Sequence, residues 1–211
     1  MQLNDSVVPL VAILRGLTAA DAPSIGAALF DAGFRLLEVP LNRPGALEAI
    51  RALAEIAPQD ALIGGGTILT AAQVDRVAAA GGRLLVAPNC NPEVIRRGVE
   101  LGMLCAPGVA TPTEAFAALA AGAHALKIFP AEMVGQKGLK AMTSVLPAAT
   151  PLWPVGGIAP ESIAPWLAAG ATGFGIGSAL YQPGCDRSTI ARRAAAYVAA
   201  WNGARQEQLA R

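Results

Sequence analysis

Short apolar runs alternate along this chain with longer stretches in which alanine and leucine recur at helical spacing. Eight runs have the length of strands: 8–14, 34–39, 61–65, 84–88, 103–107, 123–129, 152–155 and 172–176. Each is bounded by glycine, proline or polar residues, as buried strands are. The intervening and following stretches predict helices near 19–32, 45–57, 71–80, 92–101, 112–121, 136–146, 160–169 and 187–203. Thr18, Thr70, Asn91 and Thr111 stand where N-caps are wanted, and Glu114 follows Thr111 at capping-box spacing. Pro92, Pro112 and Pro160 fall at or near first helical positions. Ala32-Gly33, Ala80-Gly81, Ala121-Gly122 and Ala169-Gly170 supply the glycine that ends a helix in the left-handed region.

Eight strand–helix units in one chain predict a closed (β/α)8 TIM barrel. A doubly wound open sheet is the alternative, but it gives no reason for glycine-rich signals after both of the last two runs. No linker or composition break divides the chain, so a single domain over 1–211 is expected. With 211 residues, that barrel must have short loops.

Composition narrows the partners. Lys plus Arg is 16 against 15 for Asp plus Glu, which gives no electrostatic case for nucleic acid or an anionic membrane. Asp5 and Pro9 interrupt any secretory core, and the uncharged stretch 162–185 carries too many glycines and prolines for a membrane span. Hydrophobic residues make up 54% of the chain, which suggests buried subunit contacts. Cys90, Cys105 and Cys185 fit neither a disulfide framework nor a zinc motif, and His124 is the sole histidine. A reducing cytoplasm is the natural compartment, and no metal is expected.

In a barrel, chemistry gathers at the C-terminal ends of the strands. The run at 124–130, His-Ala-Leu-Lys-Ile-Phe-Pro, carries Lys127 at its centre. Burying an ammonium is costly and pushes its pKa down from ~10.4, toward a neutral amine that attacks carbonyls. Lys127 reads either as a Schiff-base lysine or as a strand-end lysine that reaches water or a carboxylate. Strand alternation puts it on one face with Ala125 and Phe129. Glu38 shares a face with Leu36 and Phe34, and Arg15 with Ile13 and Val11, so all three can converge at the barrel mouth. Glu38 is then either an acid/base or a structural partner of the two cations. Gly156-Gly157 and Gly177-Ser178 close the last two runs ahead of helical starts. Their backbone N–H groups and the Ser178 hydroxyl suit a phosphate.

Taken in order, Ile-Leu-Arg-Gly, Leu-Glu-Val-Pro-Leu-Asn, Gly-Gly-Gly-Thr, Ala-Leu-Lys-Ile-Phe-Pro and Val-Gly-Gly resemble the class I 2-keto-3-deoxy-6-phosphogluconate/phosphogalactonate aldolase family. The resemblance covers about 8–197. It implies a homotrimeric barrel with no metal and no cofactor, acting on a phosphorylated keto-deoxy sugar acid and yielding pyruvate and glyceraldehyde 3-phosphate. It places the Schiff-base lysine on Lys127 and the acid/base on Glu38. Arg15 and Thr67 match positions lining the substrate site, including the pyruvate carboxylate; Gly157, Gly177 and Ser178 match the phosphate end, and Phe129 packs beside the lysine. Leu-Asn-Arg-Pro after Val39-Pro40, and Val155 in place of a threonine, resemble the phosphogalactonate branch. Asn42, with Arg43 beside it, stands where the other branch has an arginine, whereas Ala131-Glu132 resembles the phosphogluconate branch. Two other readings stay open: another phosphate-binding barrel, such as an isomerase or a thiamine-phosphate-synthase-like protein, and a non-catalytic phosphosugar-binding protein. Neither explains a lysine placed mid-strand opposite Glu38.

Overall fold

A computed structural model describes residues 7–210 of the chain. Asp5, read above as interrupting a secretory core, lies outside the described residues. In chain order the elements are β1 (Leu10–Ile13), α1 (Ala22–Asp31), β2 (Leu36–Pro40), α2 (Ala46–Ile56), β3 (Leu62–Gly66), α3 (Ala71–Ala79), β4 (Leu84–Val86), α4 (Pro92–Glu100) and β5 (Leu104–Ala106). Then follow β6 (Gly108–Val109), α5 (Pro112–Ala120), β7 (Leu126–Ile128), α6 (Ala131–Thr143), β8 (Leu152–Pro154), a 3-10 turn (Pro160–Ser162), α7 (Ile163–Ala168), β9 (Phe174–Ile176) and α8 (Arg187–Leu209).

The strands are all parallel and form two sheets, one of six in the order β5-β4-β3-β2-β1-β9 and one of three in the order β6-β7-β8. The expected unbroken eightfold ladder is therefore divided at two seams. The fifth run breaks at Pro107, which has no N–H to give to a ladder. The run itself gives β5, and past Pro107 the chain continues as β6 in the other sheet. The carbonyls of Cys105 and Pro107 still accept from the amides of Ala125 (3.2 Å) and Lys127 (2.9 Å), so the chain itself bridges this seam. At the other seam Val155 and Gly175 form a single parallel bridge, and the Thr172 amide donates to the Leu152 carbonyl at 2.9 Å.

Period-2 alternation sorts the strand residues into two apolar layers. Val11, Leu36, Leu84, Leu104, Ala125 and Trp153 pack together between the strands. Leu10, Ala12, Leu37, Val39, Leu126 and Ile128 face the helices. Phe34 joins the helix-facing layer because it precedes the first residue of β2, so it does not share the face of Glu38 as alternation suggested. Gly64 keeps neighbouring strands close: a Cβ there would press into the Leu84 backbone.

Local signals held at most helix starts. Thr70 and Thr111 make capping boxes with Gln73 and Glu114, and Asn91 accepts from the Glu93 amide. Thr18 does not cap α1; the N-cap is Asp21, whose amide donates to Thr18 Oγ1 at 3.1 Å. Gly33, Gly81, Gly122 and Gly170 all have positive φ at helix ends. The expected helix over 136–146 gains an extra turn at its start, separated by Gly135 at φ 67°. Among the described residues, no helix is long and apolar enough to cross a membrane. Removing one cap tests the local reading: Thr111→Ala should cost about 1 kcal/mol, seen as a lower urea midpoint with an unchanged slope.

Candidate active site

The C-terminal ends of the strands surround a cavity of about 600 Å³. All nine residues singled out from the sequence line it: Arg15, Glu38, Thr67, Lys127, Phe129, Val155, Gly157, Gly177 and Ser178. β2 carries Glu38 and β7 carries Lys127, each pointing inward by strand alternation. Beneath them Val11, Val86 and Trp153 form an apolar floor. Among the described residues, Glu38 (1% exposed) and Lys127 (8% exposed) are the only buried charged side chains.

Their surroundings set their protonation. Burial pushes the Glu38 carboxyl up to about 7, against the opposing pull of Lys127 and then Arg15. Burial also pushes the Lys127 ammonium below its ordinary value; Glu38 opposes that shift and Arg15 adds to it. Both groups are therefore moved toward the range where a proton passes easily. Glu38 Oε2 is buried without a hydrogen-bond partner, an expensive arrangement unless a ligand or water completes it. Lys127 Nζ lies 4.7 Å from the centroid of the Phe129 ring, a cation–π distance.

Backbone constraints hold this arrangement. A Cβ on Gly66 would collide with the Glu38 carboxylate, so the triple glycine of β3 makes room for the acid. Thr67, the next residue, has φ 54°, a left-handed conformation uncommon for threonine. Such outliers gather at functional sites. Across the cavity, Gly156 and Gly157 have φ 116° and 60°. The loop they begin is anchored by the Tyr197 hydroxyl, which donates to the Ile158 carbonyl at 2.8 Å. Among the described residues, the amides of Gly157, Ile158, Ser178 and Ala179 donate to no protein acceptor. They leave a patch of backbone donors on one side of the cavity.

Arg15 follows β1, and its Nη1 donates to Asn42 Oδ1, just past the end of β2, at 2.7 Å. Asn42 and Arg43 do not line the central cavity. They border a separate surface cleft of about 480 Å³ together with Glu48, Gln73 and Arg76. Asn42 thus touches the site only through Arg15. Sequence reasoning noted Glu132 only as a branch marker, not as a lining residue, and missed Tyr181, Gln182 and Pro183. Glu132 had one available signal, its position two residues after Pro130 at a strand end. Tyr181 to Pro183 had none, because they enter through the return of the chain after the last strand. Among the described residues, no three His, Cys, Asp or Glu side chains gather into a metal-ligating group.

This geometry agrees with what the chain resembles. The family described as KDPG and KHG aldolase matches residues 4–192, and the chain belongs to that family. A 2-dehydro-3-deoxy-6-phosphogalactonate aldolase of Escherichia coli K12 is 47% identical over 199 residues, covering 94% of this chain and 97% of that protein. A Rhizobium meliloti protein described as a probable enzyme of the same kind is 46% identical over 194 residues, covering 92% of each. A solved structure described as native KDPGal superposes with a TM-score of 0.94 at 47% identity, covering 98% of this chain and 100% of that one.

The raised Glu38 pKa has a stability consequence. The folded state holds the proton up to about pH 7, whereas an unfolded carboxyl releases it near 4.5. Glu38 therefore favours the fold below the lower value, and that contribution is lost as pH rises through the upper one. Glu38→Gln should flatten this decline, by at most ~3 kcal/mol at 1.36 kcal/mol per unit. Urea midpoints of both proteins at pH 5 and pH 8 measure it; an equal decline in both would contradict the buried, proton-holding carboxyl.

Proposed function

We propose that the protein is a class I aldolase that cleaves 2-dehydro-3-deoxy-6-phospho-D-galactonate to pyruvate and D-glyceraldehyde 3-phosphate. The observation that carries this reading is the pairing of two buried charges, Lys127 and Glu38, over one cavity, with the acid oxygen Oε2 unsatisfied. A strand-end lysine reaching water would not be buried, and a structural ion pair would not leave that oxygen bare.

The neutral Lys127 amine condenses with the C2 ketone and expels water. The protonated imine is an electron sink, so the C3–C4 bond breaks toward it and leaves an enamine on C3. Glu38, through a water, takes the C4 hydroxyl proton as the aldehyde forms and returns a proton to C3. Hydrolysis of the imine frees pyruvate and the amine. Arg15 and Thr67 hold the carboxylate end, and Phe129 packs beside the lysine. Gly157, Gly177 and Ser178 hold the phosphate, which fixes the reacting bond by its remote end.

Choice of the galactonate epimer rests on Val155 and on the 46–47% identity to two galactonate-named relatives. Val155 presents methyl groups into the cavity, packed against Gly175, where a Cβ would lie 2.6 Å from one of them. A hydroxyl at that position could contact the C4 hydroxyl of the other epimer; valine cannot. The domain is proposed to span 1–211 and to close as a (β/α)8 barrel, since hydrogen bonds cross both seams between the sheets. A homotrimer would cover exposed apolar side chains such as Met133, Val145 and Phe116, which are 68%, 54% and 47% exposed. The three thiols are unpaired, which suits a cytoplasmic setting.

Two experiments test the reading. Borohydride added with pyruvate should leave a reduced adduct on Lys127, mapped by peptide mass, and Glu38→Gln should lower kcat by about 10²–10⁴-fold. An unmodified Lys127, or full turnover in the Glu38 variant, would remove the mechanism. Val155→Thr should shift the kcat/KM ratio for the two C4 epimers toward the gluconate form by about 5- to 10-fold, one hydrogen bond's worth. A wild-type preference for the gluconate epimer would overturn the substrate assignment while leaving the aldolase chemistry intact.

A further inference from the structure

The donor patch proposed for phosphate has an acidic neighbour. Glu132 lies in the first turn of α6, exposed to the cavity it helps to line. Its carboxylate rests against the Gly156-Gly157 turn. An ideal Cβ on Gly157 would sit 3.0 Å from Glu132 Oε1 and 3.2 Å from its Cγ, and one on Gly156 would collide with the same carboxylate. Among the described residues, Glu132 forms no ion pair that would neutralise it. The Ala131 amide, next in the chain, donates to the Val155 carbonyl at 2.9 Å, so the turn carrying Glu132 is tied to the strand end carrying the glycines. A negative charge is thus held beside backbone donors suited to a phosphate.

We propose that Glu132 is a specificity-determining residue that weakens the phosphate end of the site. The inference rests on the assignment of Gly157, Gly177 and Ser178 to the phosphate. Like charges held beside one turn repel, and the repulsion is partly screened because Glu132 is exposed. A free phosphate ion or a phosphorylated product held by that end alone is therefore bound weakly. A full substrate is held by the imine and the carboxylate end as well, so it tolerates the repulsion. The carboxylate makes occupancy depend on both ends of one molecule and lets the phosphorylated aldehyde leave once the C3–C4 bond has broken.

The test uses inorganic phosphate as a competitive inhibitor of cleavage by the wild-type enzyme and by Glu132→Gln, Glu132→Asp and Ser178→Ala. Glu132→Gln should lower the inhibition constant by about 2- to 5-fold, the range of a solvent-screened unit charge. Glu132→Asp, which keeps the charge, should stay closer to wild type. The difference between wild type and Glu132→Gln should shrink as salt is raised, which a packing effect would not do. An unchanged or higher inhibition constant in Glu132→Gln overturns the inference. If Ser178→Ala does not weaken inhibition by phosphate, the phosphate assignment itself has failed. If Ser178→Ala weakens it and Glu132→Gln does not strengthen it, the assignment stands and the role of Glu132 alone is lost.

Discussion

Two titratable groups of opposite charge type, an acid and an amine taken out of water together, organise this protein. Neither Glu38 nor Lys127 is at its ordinary pKa, because desolvation acts on both and each only partly compensates the other. A lone buried charge would be neutralised or expelled; a mutually supported pair can stay buried and still exchange a proton. Much of the surrounding architecture serves to keep that pair dry and aimed. Val11, Val86 and Trp153 seal it from below. Gly66 clears a space for the acid, and the strained Thr67 follows directly after it.

The rim of the site combines a full charge with fixed dipoles. Arg15 supplies a cation, steadied by Asn42 from outside the cavity. That cation does two things electrostatically: it favours the ionised form of Glu38 and the neutral form of Lys127. On the glycine turns the donors are backbone amides, with Glu132 alongside.

Rigidity at the glycine end comes from far along the chain. Tyr197 on α8 holds the Ile158 carbonyl, and Ala131 holds that of Val155. The seams between the sheets fall where hydrogen-bond continuity is hardest to keep. Pro107 removes a donor at one, and at the other Gly175 faces Val155 across a single bridge. The second seam lies directly beside the cavity, so the residue proposed to choose the epimer also joins the two sheets.

Periodicity, caps and glycine stops are local physics, and they were legible in the chain. Eight strand–helix units, the N-cap at Thr70, the capping box at Thr111, and the inward faces of Arg15, Glu38 and Lys127 follow from spacing alone. Motif order added the family. Phe34 was misplaced because alternation was extended beyond the first residue that pairs, and Thr18 because a turn before the helix uses the same residue type as a cap. Distances through space decided the rest. The sequence does not reveal that Asn42 reaches Arg15 across 27 residues. Nor does it show that Glu132 leans on glycines two dozen positions away, or that Tyr181 turns back into the cavity. Local preference is set by each residue and its near neighbours; pKa shifts and orphaned oxygens arise only when distant strand ends are brought together around a volume that excludes water.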